Sequence, residues 1–217
     1  MKRIGVWVTF LIILVIVSDQ VLKFWIKLHF AYGEGFNMFG LPWAQIHFVE
    51  NEGMAFGLLF GGSFGKLILS SFRLVAAPAG IYLIYYLIKN NYHKGLILSV
   101  GLIVAGAIGN LIDSVFYGVI FNDSFGKVAT LFPEEGGYST WLHGRVVDMF
   151  YFPMIDTTFP DWVPFIGGSP FRFFEFIFNI ADSAISIGVM TILIFQGVFL
   201  KEHPDEPTNV GQGTPAG

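Results

Sequence analysis

Two short stretches of the chain repeat one pattern, Asn110-Leu111-Ile112-Asp113-Ser114 and Asn179-Ile180-Ala181-Asp182-Ser183, with an amide three residues before an acid. Residues at i and i+3 share a helix face, so each stretch sets an amide beside a carboxyl group that it can orient by hydrogen bonding. Both acids fall among apolar residues, where an ionisable group is costly and is a functional candidate by default. The chemistry open to them is proton transfer, as acid and base in a reaction or as a relay for protons or a cation. A polar pair that merely glues two helices together is the alternative. A third acid, Asp148, lies between apolar neighbours in Gly144-Arg145-Val146-Val147-Asp148-Met149-Phe150. Its plain alternative is pairing with Arg145 or capping a turn.

The elements that must hold these acids are membrane helices. Of 217 residues, 54% are hydrophobic and 13% charged, too little polarity for the surface of a soluble domain. A hydrocarbon layer of ~30 Å takes ~20 helical residues to cross, and apolar runs of that order cover residues 4–26, 65–88, 95–115 and 174–200. The expected fold is an all-α membrane protein of four transmembrane helices with a small extracytoplasmic β element, one membrane-embedded domain over residues 1–201. Residues 202–217, polar and rich in Pro and Gly, are expected to form a disordered cytoplasmic tail. Lys2, Arg3, Lys89, Lys94 and Lys201 fall on one side of this arrangement, which the positive-inside rule makes cytoplasmic, both termini included. Met1-Lys2-Arg3 before an apolar run also opens a signal peptide, but no small-x-small site follows and the helical pattern continues through Ser18–Trp25.

Two segments lie outside, residues 28–64 and 116–173. The first alternates aromatic and polar residues through Phe36-Asn37-Met38-Phe39 and Gln45–Asn51, as short strands do. The second carries rings such as Tyr151, Phe159, Trp162, Phe165 and Phe174 that suit a membrane surface. Gly106, Gly109, Ala181 and Ala184 would let two spans approach closely. A net charge of −4 argues against nucleic acid as a partner. The absence of cysteine removes disulfides, thiolate metal sites and a Cys nucleophile. The five His residues form no ligand spacing, so neither metal nor other cofactor is expected.

Three motifs then carry a resemblance. G-x-x-G-N-x-x-D over Gly106–Asp113, V-V-D-x-x-Y over Val146–Tyr151 and F-N-I-A-D-S-A-I over Phe178–Ile185 resemble the lipoprotein signal peptidase family, also called signal peptidase II. Asp19 with Lys23, and Asn51-Glu52-Gly53-Met54-Ala55-Phe56-Gly57, resemble that family's patterns too, so the likeness covers about residues 15–190. It implies an aspartic endopeptidase of the bacterial cytoplasmic (inner) membrane, multi-pass and without a cofactor, its active site facing the extracytoplasmic side. Its partners would be membrane lipids and diacylglyceryl-modified prolipoproteins, cleaved just before the lipid-bearing cysteine. By motif the catalytic pair is Asp148 and Asp182, with Asn51, Asn110, Asp113 and Asn179 as supporting polar residues and Asp19 with Lys23 as a charged pair. Two carboxyls in one site cannot both ionise cheaply, so one would act as base and its protonated partner as acid.

The chain departs from the family twice. Ser114 stands where the family has Arg after the span-three Asp, with Arg145 and Lys23 as candidate replacements. Some 25 additional residues, Val119–His143, separate the first two motifs. Their polar stretch Pro133–Tyr138 reads as an exposed excursion, expected to act as a mobile cover over the site. Two rival readings remain at this stage. One is a transporter relaying protons through Asp113 and Asp182, for which four spans without an inverted repeat are few. The other is a non-catalytic chaperone for acylated chains.

Overall fold

Runs rich in Leu, Ile, Val and Phe, with few charges, become helices that satisfy their own backbone, as an apolar solvent demands. In the computed structural model, which describes residues 2–51 and 62–199, these are α1 (Lys2–His29), α2 (Gly62–Lys89) and α3 (Lys94–Ile112). Helix α3 runs on through a π turn at Asp113–Tyr117 into a last helical turn, α4 (Gly118–Ile120). The chain closes the bundle with α5 (Ile180–Phe199). Segments Arg3–His29, Leu67–Lys89, Lys94–Ile120 and Ile180–Phe199 are each long and apolar enough to cross a membrane. Outward apolar side chains such as Trp7, Phe10, Ile13, Phe72, Tyr82, Met190 and Ile194 are exposed, a surface that only lipid solvates cheaply. The chain is a multi-pass membrane protein. The Glu52–Gly57 part of the stretch Asn51–Gly57 and the tail at 202–217 lie outside the described residues.

Between the helices stands a small antiparallel sheet built from β1 (Gly35–Asn37), β2 (Gln45–Asn51), β3 (Val146–Tyr151) and β6 (Ile177–Phe178), in the order β1-β2-β3-β6. A separate hairpin pairs β4 (Ile155–Thr158) with β5 (Pro170–Phe173). Strand β2 alternates as read from the sequence, with Ile46, Phe48 and Glu50 turned inward.

The sheet corrects one boundary. The fourth span, expected over residues 174–200, begins its helix only at Ile180. Phe178 and Ile177 pair with Phe150 and Tyr151 instead, forming the sheet's edge. The hydropathy of a buried edge strand and of a membrane helix are alike, so composition alone cannot separate them. Asp182 consequently sits in the first turn of α5, where bundle and sheet meet.

Close helix contact falls where the small residues are. A Cβ on Gly106 would collide with the carbonyl oxygen of Ala181, and one on Gly109 would come 2.8 Å from Asp19 Oδ2. Two apolar cores result. One lies inside the bundle around Val8, Ile97, Val100 and Val104. The other lies under the sheet, where Ile26, Phe48, Val147 and Met149 meet Tyr117, Phe121 and Ala129.

That second core includes part of the stretch at 119–143 that was expected to act as a mobile cover. Phe121 and Ser124 are fully buried, and Tyr138 N donates to Phe121 O at 2.9 Å while Ser139 N donates to Gly118 O at 2.8 Å. The insertion is anchored to the sheet's underside at Phe121, Ser124 and Ala129. Its stretch at Glu134, Glu135 and Gly136 is exposed, as expected for the polar stretch, and so are Phe125, Phe132 and Trp141.

Candidate active site

One end of the bundle gathers the C-terminal part of α1, the N-terminal part of α2, the end of α3, the start of α5 and strand β3. The acids singled out by type meet there, but with exchanged partners.

Asp182 occupies the third position of α5, and Asn179 caps that helix. Asn179 Oδ1 accepts from Asp182 N at 2.9 Å and Asp182 Oδ2 accepts from Asn179 N at 3.4 Å, a reciprocal arrangement that satisfies free donors of the first turn. The carboxylate also lies in the favourable field of the helix N-terminus. With its oxygen so engaged, the Asn179 side chain must send its NH2 group elsewhere. It donates to Asp148 Oδ1 at 2.6 Å and lies 3.1 Å from Asn110 Oδ1 and 3.3 Å from Val147 O.

The second amide is oriented in the same manner. Lys23 Nζ donates to Asn110 Oδ1 at 3.0 Å, which turns Asn110 Nδ2 to Asp182 Oδ1 at 2.7 Å. The side-chain amide of each N-x-x-D-S pentad thus donates to an acid outside its own pentad. This corrects the expectation that each amide orients its own acid at i+3. The reason is tertiary: the π turn that starts at Asp113 rotates that acid toward α1, and π turns inside helices commonly serve sites of this kind.

Asp113 is buried and fully engaged there. It pairs with Lys23 at 2.8 Å and accepts from Gln20 Nε2 at 2.9 Å and Val147 N at 3.2 Å. Lys23 also pairs with Asp19 at 2.9 Å, the charged pair read from the sequence, and Asp19 accepts from Ala181 N at 2.9 Å. Asn51, at the end of β2, adds a hydrogen bond to Asp148.

Asp148 itself is buried on β3, opposite Val49 of β2. Burial, and next the charge of Asp182, push its carboxyl up to about 8, against the smaller opposing effects of Lys23, Asn179 and Asn51. A carboxyl so placed keeps its proton at neutral pH and can donate it. The arrangement therefore offers an acid beside a second carboxyl group that draws a hydrogen bond from each of two helices.

Arg145 does not join these acids, correcting its candidacy as the missing cation. It binds Glu50 at 3.0 Å and Asp123 at 3.2 Å, with its guanidinium over the rings of Phe125 and Tyr138. His143 stays in its loop, against Thr140 Oγ1 and Trp141 O. Sequence reasoning missed Arg73, whose Nη1 donates to Ser114 Oγ at 3.2 Å, and Gln20. A charged side chain inside an apolar span was signal enough for Arg73; Gln20 carried none beyond its place beside Asp19.

Comparison with known proteins follows this geometry. Residues 11–199 match the family described as signal peptidase (SPase) II. A lipoprotein signal peptidase of Porphyromonas gingivalis is 53% identical over 191 residues, 88% of this chain and 82% of the relative. One of Amoebophilus asiaticus is 35% identical over 185 residues, 84% of this chain and 74% of the relative. A bacterial membrane enzyme structure obtained by the in meso method at 1.9 Å resolution superposes with a TM-score of 0.53 at 27% identity, covering 90% of this chain and 94% of that one. A second, at 2.3 Å resolution, gives a TM-score of 0.56 at 23% identity, with 92% and 93% covered.

Proposed function

Because this chain belongs to the signal peptidase II family, we propose that it is an aspartic endopeptidase that removes signal peptides from diacylglyceryl-modified prolipoproteins, cutting just before the lipid-bearing cysteine. The observation that carries this reading is the pair of amides. Asn179 and Asn110 are each locked by a donor on their oxygen, so that their NH2 groups hold Asp148 and Asp182 from opposite sides of one buried network.

Asp182 is the base and Asp148 the acid. The ionised carboxylate takes a proton from water as its oxygen attacks the scissile carbonyl carbon, while the protonated carboxyl gives its proton to the carbonyl oxygen. On collapse of the tetrahedral diol the C–N bond breaks. The proton held by the first carboxyl passes to the leaving nitrogen of the cysteine, and the second reclaims the hydroxyl proton. The pair returns to its starting state with one water consumed. Asp19, Lys23 and Asp113 anchor the ends of α1, α3 and α5, and Asn51 steadies Asp148 from β2.

The site sits at one end of the bundle, while Lys89 and Lys94 lie at the other, in the turn joining α2 and α3. By the positive-inside rule that turn is cytoplasmic, with both termini, in a bacterial inner membrane. The acids then open to the extracytoplasmic side, where a lipid-modified precursor emerges. The aromatic rim of Trp162, Phe165 and Phe176, all exposed, suits contact with lipid headgroups and the substrate's acyl chains.

The test is cleavage of a purified, diacylglyceryl-modified precursor by the purified protein in detergent, with product masses read by mass spectrometry. A lipopeptide beginning at the modified cysteine is expected, and no product from the unmodified precursor. Release of unaltered precursor after tight binding would leave a chaperone; a cut elsewhere would remove the specificity.

A further inference from the structure

Arg73 is used in no step above, yet it stands beside the acids. Its helix face is turned inward: Ser70, three residues earlier, is buried and donates to Leu142 O at 2.9 Å, and Ala77, four residues later, is buried too. Arg73 is half-buried between them. Beyond its bond to Ser114 Oγ at 3.2 Å, that hydroxyl donates in turn to Asn110 O at 2.9 Å. The guanidinium is thereby tied to the same turn of α3 whose Asn110 amide holds Asp182.

The carboxylates that act on Arg73 electrostatically are Asp182 first, then Asp113 and Asp148. Among the described residues, the charged and titratable groups around this spot are Asp19 and Lys23 of α1, Arg73 of α2, Asp113 and Tyr117 of the π turn, Asp148 of β3 and Asp182 of α5. Lys23 is occupied by Asp113 and Asp19. Arg145 is occupied by Glu50 and Asp123.

We propose that Arg73 is a positioning residue for the hydrolytic pair: tethered by Ser114 to the turn of α3 whose Asn110 amide holds Asp182, its guanidinium presents a fixed positive charge to the two carboxyl groups. This rests on the reading of Asp148 and Asp182 as that pair. A neighbouring cation stabilises the nearer carboxylate in its charged form. A guanidinium is suited to the task because it stays charged where an ammonium can lose its proton.

The experiment compares the wild type with Arg73→Met, Arg73→Lys and Ser114→Ala, each full-length and purified in one detergent. Precursor cleavage is followed across pH, and kcat and KM are separated. For Arg73→Met, kcat should fall on the order of ten- to a hundredfold with KM nearly unchanged. Both limbs of its pH profile should move to higher pH by about one pH unit, because removing a cation makes each deprotonation harder. Arg73→Lys should restore the limbs toward their wild-type positions while recovering only part of kcat. If Arg73→Met loses rate only in proportion to lost folded protein, with both limbs unmoved, the proposal is overturned. Should that variant not accumulate, Ser114→Ala decides: displaced limbs support the tether, and an unchanged profile with unchanged kcat overturns it. Activity surviving in Asp148→Asn or Asp182→Asn defeats the underlying pair whatever Arg73 does. Inactive Asn variants beside unmoved limbs in Arg73→Met defeat this inference alone.

Discussion

Two clusters of largely buried charge lie within the same end of this molecule, and they are composed differently. Under the sheet, Lys27 and Arg145 face Glu50 and Asp123, with Lys27 also donating to Ser124 Oγ at 2.8 Å. Among the described residues two cations face two acids there, and the rings of Phe121 and Tyr138 line the Lys27 ammonium. Where α1, α3, α5 and β3 meet, Asp19, Asp113, Asp148 and Asp182 face Lys23 and the more distant Arg73. Four acids against two cations cannot all be ionised cheaply in a poorly solvated place. The first cluster has no reason to exchange protons and holds the insertion to the sheet. The second favours holding a proton, and burial with Asp182 nearby pushes the Asp148 carboxyl up to about 8.

The contrast is broken most sharply by replacing the acids. Asp148→Asn and Asp182→Asn should each lower the cleavage rate by about a thousandfold or more, with the protein still folding and still binding precursor, since an amide keeps the shape but cannot take the proton. Near-normal turnover of either variant in a purified assay would remove that residue from the pair.

The balanced cluster should respond in stability instead. Lys27→Met leaves Glu50 buried without its closest partner and should cost about 3 kcal/mol or more, read as a lowered midpoint in thermal unfolding monitored in detergent. The folded fraction should retain its kcat. Lys27→Met combined with Glu50→Gln should recover part of that loss. A large fall in kcat at unchanged stability would make this cluster part of the chemistry.

Asn110→Ala removes the amide that Lys23 turns onto Asp182 and should reduce kcat about ten- to a hundredfold, more than it raises KM. An effect on KM alone would assign Asn110 to substrate binding. At the small end, Glu134→Ala and Glu135→Ala alter exposed residues at the tip of the insertion and should shift stability by less than about 0.5 kcal/mol. Phe121→Ala, in the same insertion but fully buried, should cost about 3 kcal/mol. Equal, negligible effects at all three positions would return the insertion to the role of a loose cover.

These regions were unequally legible from residues alone. The bundle was readable because lipid admits helices with few charges, so each span announced itself, and each ionisable group within one stood out. Asp113 and Asp182 were found on that ground, and Asp148 by its apolar neighbours and its motif. Their partnerships were not. Which acid Asn110 serves depends on Lys23 reaching across from α1, and which way Asp113 faces depends on a π turn; both follow from contacts between segments distant in sequence. The start of α5 was misplaced because Ile177 and Phe178 are as apolar as the span they precede, and only pairing with Phe150 and Tyr151 makes them a strand. The insertion carried too little periodicity to reveal that Phe121 and Ala129 are core residues.

The most direct measurement is the initial rate of precursor cleavage by the wild-type protein from acid to alkaline pH, in a single detergent and with folding checked at each point. A pair that works with one proton loses rate on the acid side, where both carboxyls are protonated, and on the alkaline side, where Asp148 gives up the proton it must donate. The rate should therefore trace a bell whose alkaline limb falls near the value of about 8 set by burial and Asp182, the two limbs belonging to the coupled pair rather than to either residue. A rate that rises from acid pH and stays level well into the alkaline range would show that no protonated carboxyl is required, and would contradict the two-carboxyl account.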